Sequence, residues 1–238
     1  MVIILGPILV CGAGLSADNR VVVGAFSSAV EGSLPPGWKP EIFKRRQGAQ
    51  TAYDVVRDGD TTVVRAESVG TASGLEHEAP VNLADYPVLR WRWKIDHVVA
   101  SGDPRRKDTD DYAARVYVTF AFEPDKASFG EGVRYRTARA LFGGVPFAAL
   151  SYIWASRTPV GTLVGSPYMG DIVKLIVVEN ADSQVGEWVA EERNVYEDYR
   201  RAFGKDPPPV SGVAIMTDTD NTRERATAYY GDLIFSKD

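Results

Sequence analysis

The sequence contains one cysteine, Cys11, and two histidines, His77 and His97, in 238 residues. A single cysteine forms no disulfide within the chain, so a disulfide-built scaffold is excluded, as is a zinc site made from several cysteines. A serine hydrolase would have to use one of the two histidines as its base, and no G-x-S-x-G pattern occurs in the chain.

The chain also lacks an excess of positive charge. Lys+Arg 27 against Asp+Glu 32 gives a net charge of -5, so the overall field favours neither nucleic acid nor an anionic membrane. Apart from residues 2–17, no segment approaches the roughly 20 apolar residues of a membrane span. We therefore expect no nucleic-acid partner, no membrane span and no cofactor, and an anion site would have to be local.

The one long apolar run, VIILGPILVCGAGLSA at residues 2–17, ends in small residues and is followed by polar DNR. This pattern predicts a signal peptide over residues 1–17, although no basic residue precedes it. The mature protein would then comprise residues 18–238 and be periplasmic or secreted.

The leader contains two patterns that suggest other functions. Lipidation at Cys11 is an alternative, but bulky Val10 stands where lipoprotein signals carry a small residue. Gly12, Gly14 and Ala17 form G-x-G-x-x-A, as in a dinucleotide fold, but a turn and a strand follow where that fold requires a helix. We therefore interpret the second match as accidental.

The rest of the chain alternates short β-branched and aromatic runs with turn clusters, which is typical of a sandwich or barrel. No repeat or long linker divides it, so we expect a single jelly-roll-like β-sandwich domain, mainly β, over residues 18–238. The predicted strands are 20–26, 41–45, 52–57, 61–68, 72–79, 88–96, 113–123, 148–155, 172–180, 211–217 and 226–236.

Two short helices are predicted as insertions, over residues 131–142 and 195–203. The second has Asn194 as its N-cap, Glu197 three residues later as in a capping box, and Gly204 as its C-terminal stop.

The segment 88–96 separates into two faces, because side chains alternate along a strand. Trp91 and Trp93 would point inward, and Arg92 and Lys94 outward. The same alternation in 113–123 places Arg115 and Tyr117 outside. If these two strands form a hairpin, their outer residues create a basic, partly aromatic face.

Such a face could pair with neighbouring carboxylates or lie under the helices. Alternatively, it could bind a carboxylate or phosphate, which guanidinium groups match in a bidentate manner. Trp154 shares a face with Tyr152, which favours core packing over a sugar platform; for Trp38 and Trp188 both interpretations stay open.

Two acidic loops lie beside these strands, at residues 107–112 and 216–222. Asp111 and Asp218 are candidates for a catalytic acid and base, and Asp218 and Asp220 are candidates for calcium, although this loop lacks the later glycine and glutamate of a calcium loop. Capping of the turns by Asp side chains is the third interpretation. The predicted ligand-binding residues are Arg92, Lys94, Asp111, Arg115, Tyr117, Asp218, Asp220 and Asn221.

The motifs ARVYVTFAFE, AALSYIWASRTPVGT, VVENADSQVGEWVAEERNV, YRRAFG and GVAIMTDTDNT together resemble DUF3047, a bacterial exported family of unknown function. The resemblance spans about residues 26–235 and implies a secreted or periplasmic β-sandwich. The family pattern includes an acidic-Ala-Arg-Val-Tyr-Val motif and Thr217 to Asn221. Arg223 departs from it, because glycine is expected there.

A looser resemblance concerns LPPGW at residues 34–38, ASGL at residues 72–75 and YYGDLIF at residues 229–235, which look like parts of carbohydrate-binding jelly-roll modules. Jelly rolls host many kinds of site, so this resemblance alone does not transfer function.

These observations favour an exported module that binds an anionic glycan on the basic face. One alternative is a glycan-cleaving hydrolase or lyase, with Asp111 and Asp218 as acid and base or with Tyr117 abstracting a proton from a uronate. It requires a deep cleft and a raised carboxyl pKa or a lowered tyrosine pKa. The other alternative is a structural envelope domain whose charged face binds another protein.

Overall fold

A computed structural model describes residues 19–42, 50–125, 128–142, 146–170 and 172–238 of the protein. The predicted signal peptide 1–17, with Cys11, and most of the predicted strand 41–45 lie outside the described residues. Within the part that is described, no helix combines the length and the apolar character that a membrane span requires.

Short strands dominate the described chain, and two α-helices interrupt them. The strands are β1 (Arg20–Gly24), β2 (Lys39–Glu41), β3 (Ala52–Asp58), β4 (Thr61–Val69), β5 (Ala72–Val81), β6 (Val88–Ile95), β7 (Ala114–Phe120), β8 (Ala148–Trp154), β9 (Leu163–Gly165), β10 (Val173–Glu179), β11 (Val189–Asn194), β12 (Val210–Asp218), β13 (Arg225–Tyr230) and β14 (Leu233–Ser236). The helices are α1 (Phe129–Phe142) and α2 (Val195–Phe203).

The strands form two sheets. In sheet A, β6 is central: β11 pairs with one of its edges, and β13 and β14 pair with the other. From there β13 continues to β4 and β3, whereas β14 continues to β1. Sheet B has the order β2-β5-β12-β7-β8-β10-β9, with one parallel pair, β8 and β10. The predicted mainly β sandwich with two short helices is confirmed.

Large aromatic side chains fill the space between the sheets. Trp91 and Trp93 project inward from β6, and their rings lie 5.3 Å from Tyr152 and 5.6 Å from Trp154, respectively. All four are buried, so the predicted alternation of β6 and the core packing of Trp154 are confirmed. Truncating a buried tryptophan to alanine typically costs about 3–5 kcal/mol, and these contacts therefore hold the sheets together.

Helix α2 has the predicted boundaries, and its caps explain them. Asn194 Oδ1 accepts a hydrogen bond from Glu197 N at 3.0 Å, and Gly204 has φ 72, a left-handed conformation that glycine adopts without steric cost. Val195 and Tyr199 are buried against the core. Helix α1 begins two residues before the predicted 131–142.

Three predictions about strands are wrong. The short strands β9 and β11 were not expected, and the predicted strand 226–236 is two strands, separated at Gly231 and Asp232. The predicted hairpin of 88–96 with 113–123 does not form, because β6 lies in sheet A and β7 pairs with β8 and β12 in sheet B. Alternation fixes which side chains are buried but not which strand lies alongside.

Candidate functional site

The predicted ligand residues lie in two separate regions. Arg92 and Lys94 project from the outer face of sheet A, opposite the inward-facing tryptophans of β6. The others lie on β7 of sheet B and in the loops beside β7 and β12; they are Asp111, Arg115, Tyr117, Asp218, Asp220 and Asn221. The expected single basic face is therefore wrong.

Arg115 is a buried structural arginine, with 3% of its surface exposed. Its Nε donates to Asp218 Oδ1 at 2.8 Å, and its Nη2 donates to Asp218 Oδ2. The same Nη2 donates to the backbone oxygen of Asp110 at 2.6 Å. The guanidinium also lies over the Tyr112 ring, 4.2 Å from its centroid. Because its donors are engaged by the protein, Arg115 holds the two acidic loops together.

Of the two pKa shifts that would support the glycan-cleaving alternative, Asp218 shows the raised carboxyl pKa, and Tyr117 lacks the lowered tyrosine pKa. Burial raises the pKa of Asp218 to about 7, against the attraction of Arg115. Burial also raises the pKa of Tyr117, which is the opposite of what abstraction of a proton requires. The carboxyl of Asp218 is 2% exposed and fully engaged with protein donors, so it lacks the open cleft that the hydrolase hypothesis demands.

Asp111 caps the loop after β12. Its Oδ1 accepts from Asn221 Nδ2 at 2.8 Å, and its Oδ2 accepts from Thr222 N at 2.6 Å and Thr222 Oγ1 at 2.8 Å. These bonds match the interpretation of the acidic residues as turn caps. In the same loop Arg223 has φ 62, a left-handed conformation, which explains why glycine is expected at this position.

The calcium candidates also meet here. Asp111, Asp218 and Asp220 each offer a carboxylate oxygen, and these oxygens lie within 4.8 Å of one another. Calcium needs six to eight oxygen ligands. Arg115 already engages the carboxylate of Asp218, and the loop engages that of Asp111. A cation would compete with these contacts, and calcium binding stays a prediction.

An open groove of about 570 Å³ crosses the outer face of sheet A. It lies where β13 and β14 separate, so its floor is β6 and its walls come from β11 and from the Gly231–Asp232 turn. Arg90 Nε donates to Glu192 Oε2 at 2.9 Å on one side. On the other, Asp232 accepts from Ser27 Oγ at 2.6 Å.

Arg92 lines this groove and stacks on an aromatic ring. Its guanidinium carbon lies 4.5 Å from the centroid of the Trp188 ring, and Lys94 Nζ lies 5.2 Å from the same centroid. Asp58 fixes this arrangement, because it accepts from Trp188 Nε1 at 2.6 Å and from Lys94 Nζ at 3.3 Å. Burial alone would raise the pKa of Asp58, but these two hydrogen bonds hold it below its ordinary value.

Gly231 makes room for the Arg92 side chain. A Cβ atom at residue 231 would lie 2.5 Å from Arg92 Cγ and 2.9 Å from its Nε, closer than carbon atoms approach in folded proteins. Gly231 N also donates to the backbone oxygen of Arg92 at 2.8 Å. The absence of a side chain therefore lets Arg92 lie along the turn and reach the groove.

Sequence reasoning missed Gly231 and did not place Trp188. The alternation of residues 88–96 indicated that Arg92 leaves the core, and this part was correct. The sequence gives no signal for the pairing of β11 with β6, because apolar and polar residues do not alternate in the polar segment VAEERN as they do in a half-buried strand. This pairing sets the path of the chain next to Trp188.

The chain belongs to the family described as "Protein of unknown function (DUF3047)", which it matches over residues 36–234. This confirms the resemblance found in the sequence. Comparison with curated proteins gives no match.

Solved structures with a related backbone include a variant of the carbohydrate-binding module CBM29-2 complexed with mannohexaose. It has 10% identity and a TM-score of 0.39, with 92% of this chain and 91% of that chain covered. A second is a thermostable cellulase derived from Cel12A of Rhodothermus marinus, with 13% identity and a TM-score of 0.41 over 90% of this chain and 99% of that chain. At these scores the likeness is distant.

Proposed function

We propose that the protein binds an anionic glycan in the groove on the outer face of sheet A. The observation that carries the proposal is the Arg92 side chain. It lines an open groove, stacks on Trp188, and makes no hydrogen bond to a described residue. A guanidinium that is held in place with its donors unused is prepared to bind a carboxylate or sulfate oxygen.

The other polar groups of the groove suit sugar hydroxyls. Glu192 and Asp232 are acceptors at its two sides, and each is already oriented by a protein donor, Arg90 or Ser27. Carboxylates that are held in place in this way accept hydrogen bonds from ligand hydroxyls without first losing side-chain freedom. The groove therefore combines one arginine for an acidic group with several acceptors for hydroxyls.

Binding of trigalacturonate and maltotriose to the purified protein tests the proposal by titration calorimetry. We expect trigalacturonate to bind more tightly. Arg92→Gln should weaken its affinity by about 10- to 100-fold, the factor that corresponds to the roughly 1.5–3 kcal/mol of a charged hydrogen bond. The same variant should lose little affinity for maltotriose, because maltotriose carries no carboxylate.

Arg105→Gln is the matched control. Arg105 is exposed in the loop that connects β6 to β7, and its side chain makes no ion pair with a described residue. This variant should bind like the wild type. Equal affinities for the two trisaccharides, or unchanged trigalacturonate binding by the Arg92 variant, would refute an anionic ligand in this groove.

We also propose that the protein works outside the cytoplasm. The apolar segment 2–17, which ends in small residues, supports export. Sequencing the N-terminus of the protein recovered from the periplasm or the medium tests this. A mature chain that begins near residue 18 is expected, and an uncleaved chain confined to the cytoplasm would contradict it.

A further inference from the structure

A second cavity, of about 250 Å³, lies at one end of the sandwich, between α1, α2 and the first residues of β8 and β10. Aromatic rings form much of its wall, and two lysines and one glutamate line it. The residues that matter here are Glu131, Phe147, Lys174, Tyr199, Phe203 and Lys205. This cavity is separate from the groove on sheet A.

Lys174 occupies an inward-facing position of β10. It pairs with Leu150 in the register of β8 and β10, and the next inward residues of β10, Ile176 and Val178, belong to the hydrophobic core. Its Nζ lies 5.9 Å from the centroid of the Phe203 ring. No described acidic residue forms an ion pair with it, so among the described residues this cation faces an aromatic cavity without a counter-charge of its own.

The neighbouring lysine is neutralised. Lys205 Nζ forms an ion pair with Glu131, and it lies 5.0 Å from the centroid of the Phe147 ring. The hydrogen bond from Lys205, with two further ones from the backbone and hydroxyl of Ser128, lowers the pKa of Glu131 to about 2, so this carboxylate stays ionised and bound to Lys205. It is therefore not the partner of Lys174.

Tyr199 supplies an unused donor in the wall of the same cavity. The residue is 0% exposed, its ring lies 4.5 Å from both Phe120 and Phe203, and its hydroxyl has no hydrogen-bond partner among the described residues. Burial raises the pKa of this hydroxyl, so it keeps its proton at neutral pH. Buried hydroxyls without a partner are uncommon in folded proteins.

We propose that this cavity binds a small organic carboxylate with an aromatic or aliphatic body. The carboxylate takes the charge of Lys174 and a hydrogen bond from Tyr199, and the body contacts the rings of Phe147 and Phe203. The volume lies just below the 300–1,000 Å³ range of sites for drug-sized ligands, which limits the ligand to about 10–15 non-hydrogen atoms.

Benzoate, benzyl alcohol and acetate are the probes. Titrations of the purified protein, followed by NMR up to about 20 mM ligand, should show benzoate binding more tightly than the other two, because only benzoate offers both a ring and a charge. Lys174→Gln should weaken benzoate binding at least about 5-fold and leave benzyl alcohol unchanged, whereas Lys174→Arg should retain most of the affinity.

Tyr199→Phe should weaken benzoate binding by a smaller factor than Lys174→Gln does. Lys39→Gln changes an exposed lysine of β2 and should have no effect on benzoate binding. Circular dichroism verifies that each variant is folded. If Lys174→Gln does not fold, the benzoate affinity of Lys174→Arg decides the test instead. The proposal is overturned if benzoate does not bind, if benzyl alcohol binds equally well, or if the Lys174 variants bind like the wild type. Trigalacturonate binding in the groove should be unaffected by every one of these variants.

Discussion

Replacing Arg115 with methionine should destabilise the protein strongly. The variant would leave the Asp218 carboxylate, which is 2% exposed, without the guanidinium that donates to both of its oxygens. Removing one partner of a buried ion pair costs about 3–5 kcal/mol. For a chain of 238 residues each kcal/mol shifts the unfolding midpoint by about 2–4 °C, so we expect a decrease of about 6–20 °C.

The loss should depend on pH in a defined direction. Burial raises the pKa of Asp218 from the ordinary 3.8 to about 7. A carboxyl with a higher pKa in the folded state stabilises folding while it is protonated; this contribution is complete below 3.8 and is lost as pH rises through about 7. Without Arg115 to lower it, the pKa rises further. The deficit of the variant should thus be largest near pH 8 and smaller near pH 5.

Urea unfolding at these two pH values, followed by tryptophan fluorescence, measures the effect. Arg105→Met provides the control for removing an exposed arginine. The double change Arg115→Met with Asp218→Leu should regain a large part of the loss, because an apolar pair needs no counter-charge; Asp110, also within ion-pair distance of Arg115, limits the recovery. A loss below about 1 kcal/mol for Arg115→Met, or a deficit that grows toward pH 5, would refute this account of the pair.

Three further changes test other parts of the structure. Gly231→Ala should displace Arg92 from the groove, and calorimetry should show weaker trigalacturonate binding with the midpoint of unfolding within a few degrees of the wild type; unchanged affinity would contradict the packing argument. Arg223→Gly should raise the free energy of unfolding in urea by up to about 1 kcal/mol, because φ 62 strains a residue with a Cβ, and a loss of stability would count against this. Burial and the hydrogen bond with Glu179 raise the pKa of Glu191 to about 8, so the stability that its protonated form provides is lost as pH rises through 8. Glu191→Gln keeps a hydrogen-bond donor there and should flatten the fall in unfolding midpoint between about pH 5 and 8, which a pH scan across that range measures; an unchanged fall would contradict the assignment.

Much of the fold could be predicted because it depends on local patterns. Periodic alternation identified β6 and β7, the β-branched and aromatic character of 148–155 identified β8, and capping chemistry placed α2 at its observed ends. The missing strands are those whose sequences do not alternate between apolar and polar residues: β9 has three residues, and β11 is a polar edge strand that forms because the edge of β6 is available for pairing.

The site was harder to predict because it depends on which strands are neighbours. Arg92 and Arg115 have similar sequence surroundings, since each lies between buried residues of an alternating strand. Their environments differ because one strand borders an open groove and the other borders two acidic loops. A single sequence contains no information on that pairing. The same alternating pattern therefore fits both Arg92, which lines the groove, and Arg115, which is buried.

This difference also separates stability from binding in the molecule. The residues of the acidic loops, with Arg115, are engaged by hydrogen bonds inside the protein, and changing them alters folding. Arg92 contacts an aromatic ring whose position is set by Asp58, and its guanidinium is in no buried ion pair with a described residue. Arg92→Gln should therefore change ligand affinity while the unfolding midpoint stays within a few degrees. Arg115→Met should lower the unfolding midpoint and leave ligand affinity unchanged at temperatures where the variant is folded. Trigalacturonate binding that followed Arg115 and ignored Arg92 would move the site to the acidic loops.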